Sequence, residues 1–206
     1  CNSRKILNGV AEMVGCGQRS KDLYRIIDKH DRIGKDKVLE ELCRLPDNKY
    51  DESALALSPD QAGLISRFLD IRSLDSEEIL STLENFFGND QTTGRDGIQE
   101  LREIAKNLKI LTIPEDRWTI DLSVARGLDY YTGPVFETTL LDCPEIGSVF
   151  SGGRFDGLTN RFISGSNIPG VGASVGVDRL VAALEKLGKL PKQQAVAEVL
   201  VTVFSP

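Results

Sequence analysis

The chain has 206 residues, of which 40% are hydrophobic and 27% charged, and a formal net charge of −6. That length suffices to bury a core, and that composition excludes both a disulfide-held miniprotein and a chain whose main state is disordered. The acidic balance argues against coating nucleic acid by bulk electrostatics, although the first 50 residues carry a local +3 against −9 for the remainder.

No apolar run is long enough to cross a bilayer, and CNSRKILNGV lacks the continuous apolar stretch of a signal peptide. Cys1, Cys16, Cys43 and Cys143 form no C-x-x-C pair, which points to reduced thiols in the cytoplasm rather than a zinc cluster or a disulfide framework. A first residue other than Met, and a final VTVFSP that reads as a strand just begun, suggest a segment of a longer polypeptide.

In chain order, Leu23, Ile26 and Ile27, then Val38, Leu39 and Leu42, recur at helical steps, with Gly34 dividing two short helices. Ser58 and Pro59 suit an N-cap and first helical position ahead of an apolar face of Leu64, Ile65, Phe68 and Leu69. Ile79, Leu80, Leu83, Phe86 and Phe87 make a third face. GNDQTTGRDG at 88–97 reads as a loop, and Leu101, Ile104, Ala105 and Leu108 as a fourth helix. Residues 36–112 therefore form a mostly helical module.

The period changes at Trp118, where Trp118, Ile120, Leu122 and Val124 predict one side of a half-buried strand. VFETTLLD at 135–142 and SVF at 148–150 continue as short strands with turns at 132–134 and 142–144; intervals this short call for antiparallel pairing. GVGASVGV is a further strand, followed by a helix on which Val177, Leu180, Val181, Leu184 and Leu187 share a face. Pro191 and KQQ make a linker, and VAEVLVTVF begins another unit. The fold class is α+β.

Three segments concentrate chemistry. In ARGLDYYTG, Arg126 offers a guanidinium fork that matches two oxygens of a carboxylate or phosphate. Tyr130 and Tyr131 would point to opposite faces of an extended chain, so one lines a pocket and the other packs behind it. An ordinary hairpin with its tyrosines in the core and Arg126 at the rim is the alternative. In SGGRFDGL, Gly152 and Gly153 permit close approach of backbone to a ligand or, equally, a tight turn, while Arg154 and Asp156 read as a structural pair. In GVGASVGVDRL, near-alternate glycines ending at Gly176 leave one side of a strand bare for a flat ring. Arg179 falls in the first turn of the next helix, where the dipole favours an anion; a bound phosphate, or a salt bridge with Asp178 or Asp156, accounts for it.

The chain has no G-x-x-x-x-G-K-[ST] loop, Rossmann glycine fingerprint or G-x-S-x-G elbow. Its lone histidine, His30, lies between Lys29 and Asp31 and reads as exposed.

ARGLDYYTGPVFE, SGGRFDGL and GVGASVGVDRL resemble, in order and spacing, the two histidine signatures and the third class-defining motif of histidyl-tRNA synthetases, and NSRKILNG with IIDKHDRIG resembles the entry to that family's helical insertion. The resemblance implies a class II aminoacyl-tRNA synthetase core, an antiparallel sheet flanked by helices. On this chain it implies a first core segment at 1–35, the insertion at 36–112, a second core segment at 113–190, and a linker with the start of an anticodon-binding domain at 191–206.

It further implies that ATP and histidine form histidyl-adenylate, whose histidyl group passes to the acceptor end of tRNA(His). Arg126 would touch the amino acid carboxylate and α-phosphate, and Arg179 the γ-phosphate, with the strand ending at Gly176 beneath adenine. Tyr130 and Tyr131 would lie at the histidine, with Gly152 and Gly153 as the adjoining wall. Mg2+ would be held mainly by phosphates, with no protein ligand. The complete protein would be a homodimer, and this portion, lacking two earlier motifs of the family, inactive alone. His30 and Asp178 replace the family's more usual leucine and glutamate. A regulatory relative of histidine biosynthesis without catalysis is the alternative; such relatives typically lose the two arginines retained here. An isolated tRNA-binding module at 36–112 is a third reading, which the net charge disfavours.

Overall fold

The computed structural model describes residues 1–51, 53–89, 92–125, 130–166, 168–190 and 201–202. Within these, eight α-helices and four strands follow the order β1 (Asn2–Ser3), α1 (Arg4–Met13), α2 (Ser20–Ile27), α3 (His30–Ile33), α4 (Lys35–Cys43), α5 (Pro59–Leu69), α6 (Ser76–Phe87), α7 (Gly94–Ile110), β2 (Pro134–Thr139), β3 (Ser148–Phe155), β4 (Gly170–Val175) and α8 (Val177–Lys186). The strands form one sheet in the order β1-β2-β3-β4, with β1 antiparallel to β2 and Asn2 opposite Val135. The α+β class and the antiparallel sheet with flanking helices hold.

The chain divides into two compact units, Cys1–Glu137 with Ser151–Ser174, and Thr138–Phe150 with Val175–Pro206. The core of the first unit is continuous from Ile6, Leu7 and Val10 of α1 through Ile65 and Phe68 of α5 and Leu80, Leu83 and Phe87 of α6 to Ile98 and Leu101 of α7. Small residues let α1 and α7 approach closely: a Cβ on Gly9 would stand 2.7 Å from the Gly94 backbone, and one on Gly97 would stand 2.8 Å from Ile6. In the second unit Cys143, Val149 and Ala183 are buried.

Local chemistry explains most boundaries. Ser58 and Gln61 make a reciprocal capping box with Pro59 in the first turn of α5. Gly34, at φ 81°, separates α3 from α4. The predicted 88–97 loop is shorter than its composition suggested, because Gly94 and Gly97 sit inside α7, buried against Phe87 and Ile6.

The predicted 118–124 strand does not form. Asp121 accepts from the amide and hydroxyl of Ser123 at 2.9 and 2.6 Å, which bends the chain. The Asn2 amide then donates to the carbonyls of Leu122 and Val124, both at 3.1 Å, replacing a ladder with side-chain bonds. Burial of Ile120, Leu122 and Val124 nonetheless follows the pattern. The helix α8 is as expected, but its apolar residues Val177, Val181 and Leu184 are 63%, 46% and 38% exposed; Ala183 is its buried residue.

Candidate functional site

In the first signature residues 126–129 are not described, so Arg126 lies outside the described residues. Tyr130 and Tyr131 do not diverge as extended backbone would require. The chain turns at Tyr130 and the two rings meet in a tilted contact, 4.8 Å between centroids and 57° between planes. Tyr130 also meets Phe155 edge-on at 5.6 Å. Both tyrosines are half-buried. Burial, together with a hydrogen bond and repulsion from Tyr130, pushes the Tyr131 phenol above its ordinary value, against the opposing pull of Arg4.

The glycine pair forms part of β3, not a turn, and the protein itself fills the space beside it. A Cβ on Gly153 would lie 2.8 Å from Cδ1 of Tyr131 and from the Pro134 carbonyl, and one on Gly152 would lie 2.2 Å from the Gly172 carbonyl. Gly153 thus seats Tyr131, and Gly152 admits β4. Similarly, the flat ring against the glycines of β4 is Phe155, which a Cβ on Gly170 or Gly172 would meet at 2.4 and 3.2 Å.

The turn that follows the tyrosines is fastened from three directions. Arg4 donates its amide to the Gly133 carbonyl at 2.9 Å, and Thr132 donates its amide to the Arg154 carbonyl at 2.9 Å. The Thr132 hydroxyl donates to Asp156 at 3.0 Å, and Arg154 Nε donates to Asp156 Oδ1 at 2.9 Å. Arg154 and Asp156 are therefore the expected structural pair. Burial raises the Asp156 carboxyl, but Arg154 and Thr132 outweigh it and leave the group below its ordinary value. Arg4 itself is buried, with its guanidinium 4.7 Å above the Tyr24 ring.

In the second unit Arg179 is the third residue of the ten-residue α8 and is exposed. Its Nη1 donates to the Ser148 carbonyl at 2.6 Å, and no carboxylate among the described residues pairs with it, so the salt bridge to Asp178 or Asp156 is not made. Gly176 donates its amide to the Val149 carbonyl at 2.8 Å, ending β4 where the helix starts. One guanidinium edge is thus braced by backbone, while its other donors lie beside the positive end of a helix and meet no carboxylate among the described residues.

The family model of histidyl-tRNA synthetase matches residues 4–180. The chain belongs to the histidyl-tRNA synthetase family. It is 43% identical to a histidine–tRNA ligase of Wolinella succinogenes over 201 residues, covering 97% of this chain and 43% of that protein. A histidine–tRNA ligase of Rhodopirellula baltica is 39% identical over 203 residues, with 98% and 43% covered. The crystal structure of histidyl-tRNA synthetase from Nostoc sp. PCC 7120 superposes with a TM-score of 0.80 at 34% identity, over 92% of this chain and 42% of that one. The chain therefore spans about 43% of the length of the relatives it matches, and its sheet and helices are those of a class II synthetase core.

Among the described residues no helix is long and apolar enough to cross a membrane, and no three His, Cys, Asp or Glu side chains could together hold a metal ion. All four cysteines are free. His30 is half-buried, with Arg72 3.4 Å from its Nε2. Arg4, which supports the turn from α1, stands outside the three signatures, where no local pattern in the sequence marks it.

Proposed function

We propose that the complete protein is a histidine–tRNA ligase, which uses ATP to convert histidine to histidyl-adenylate and passes the histidyl group to the acceptor end of tRNA(His). The observation that carries this reading is the seating of the Tyr130–Tyr131 pair on Gly153, in a chain of this family that keeps both Arg126 and Arg179. The activity belongs to the complete protein, not to residues 1–206 alone.

Arg126 neutralises the histidine carboxylate and the α-phosphate as charge develops there, since acyl activation needs placed positive charge more than a strong base. Arg179 holds the γ-phosphate. Tyr130 and Tyr131 contact the histidine, Gly152 and Gly153 shape the adjoining wall by seating Tyr131 and admitting β4, and the Gly176 end of the strand, beyond the glycines that Phe155 covers, underlies the adenine. Arg126 and Arg179 offer the nucleotide cationic donors, and Mg2+ bound mainly by the phosphates would shield their charge. Residues 36–112 serve as the insertion facing the acceptor end, between core segments 1–35 and 113–190, with 191–206 leading into an anticodon-binding domain. The complete protein works as a homodimer in the cytoplasm.

Histidine-dependent ATP–pyrophosphate exchange tests this reading. The complete protein is expected to support exchange, and Arg126→Ala to reduce it by at least about 100-fold, the scale for losing a charge-stabilising donor, with folding retained. A folded protein that binds histidine without exchange would instead be a regulatory relative, and the ligase reading would fall.

A further inference from the structure

Glu100 of α7 is absorbed by none of the three signatures, yet it stands where α1, α7 and the turn after the tyrosines converge. Its Oε1 takes Lys5 Nζ at 2.8 Å, and its Oε2 accepts the Ser3 hydroxyl at 3.1 Å. Ser3 is also the N-cap of α1 and lies opposite Pro134 in the sheet. The same carboxylate fills the space beside the buried Gly133, where a Cβ would fall 3.3 Å from Oε2, 3.5 Å from Oε1 and 3.3 Å from Cδ of Arg154. Its side chain is only 18% exposed, so these contacts are made with little water between.

We infer that Glu100 is a positioning residue for the Tyr130–Tyr131 segment, holding the Thr132–Gly133 turn against the first turn of α1. The physical reason is the mismatch of supports. Thr132 is tied to Arg154 and Asp156 by its own amide and hydroxyl, whereas Gly133 has no side chain and its carbonyl is held by the Arg4 amide. A carboxylate anchored by Lys5 and Ser3 packs the bare side of Gly133, and Tyr131 lies two residues upstream. Because Glu100 is carried by α7, a shift of that helix moves the floor of the tyrosine pair. The role in catalysis rests on the ligase reading; the clamp itself does not.

Hydrogen–deuterium exchange on the complete protein tests the clamp. Glu100→Ala is expected to speed deuterium uptake at the Arg4 and Thr132 amides about tenfold, the effect of losing one charge-assisted hydrogen bond. The amides of α5 keep their protection, and Glu100→Gln, which can still accept from Ser3, restores part of it. Unchanged uptake at both amides overturns the clamp. In histidine-dependent exchange kinetics, Glu100→Ala is expected to raise KM for histidine several-fold and leave KM for ATP alone. A fall in kcat with both KM values unchanged, or altered uptake with an unaltered histidine KM, overturns the positioning role. Lys5→Met carries the same comparison if Glu100→Ala fails to fold. A wild-type protein without histidine-dependent activity would overturn the ligase reading, while the uptake experiment still decides the clamp.

Discussion

Two helix-interior glycines should respond to alanine with opposite signs. A Cβ on Gly9 of α1 would stand 2.7 Å from both Cα and N of Gly94, and 2.9 Å from Cε1 of Phe87. The first obstacle is backbone. The second is a ring 1% exposed and itself wedged over Gly94, so neither yields cheaply. Overpacking of this kind costs about 3 kcal/mol, the upper part of the usual range, and the helix-propensity gain of replacing glycine returns about 1 kcal/mol. Gly9→Ala should therefore destabilise by about 2 kcal/mol and lower Tm by about 4–8 °C for a chain of this size.

Gly63 in α5 is exposed, with no atom within 4 Å of its would-be Cβ. There the propensity term acts alone, and Gly63→Ala should raise Tm by about 2–4 °C. Thermal melting followed by far-UV circular dichroism reads both variants in one background. A Gly9→Ala protein melting at or above wild type would refute the close α1–α7 crossing.

Asn2→Ala removes the donor shared by the Leu122 and Val124 carbonyls in a fully buried position, and should lower stability by about 2–4 kcal/mol with an unchanged urea m-value; a loss below about 0.5 kcal/mol would refute the assigned bonds. In the second unit, Lys186 first, with a backbone bond and Cys143, holds the Glu145 carboxyl at about 2 against an ordinary 4.5. A depressed carboxyl stabilises the fold above its ordinary value and loses that contribution as pH falls from 4.5 towards 2. Lys186→Met should move the Glu145 midpoint back up towards the ordinary range in an NMR titration, and an unmoved midpoint would refute the pairing.

Helices whose apolar residues recur at three and four positions were legible from the sequence because α5, α6 and α7 bury those same faces. The 118–124 segment was not: its apolar positions Ile120, Leu122 and Val124 are buried, but so is Ser123 between two of them, and in place of a strand ladder the backbone bonds Cys1 at Thr119 and Asp121 and the side chains of Asn2 and Asp121 beyond. α7 starts earlier than its loop-like composition suggests for a related reason. Gly94 and Gly97 are poor helix formers alone, and the packing of Phe87 and Ile6 against them repays their propensity.

The candidate site divides along the same line. Its candidate groups are legible as local strings, because Tyr130, Tyr131 and the glycine pair are unusual core material wherever they stand. What makes those strings geometry comes from elsewhere in the chain: β3 seats Tyr131, and Phe155 braces Tyr130. Ser3, Arg4 and Lys5 reach the following turn directly or through Glu100. These partners are single residues about 20 to 130 positions away in sequence, each ordinary for its helix or strand. A string can name the groups that meet a substrate, but the angle at which two adjacent tyrosines present themselves is set by the turn that carries them. On the ligase reading, substitutions at Glu100 should therefore raise KM for histidine through the tyrosines it positions, without Glu100 touching the ligand.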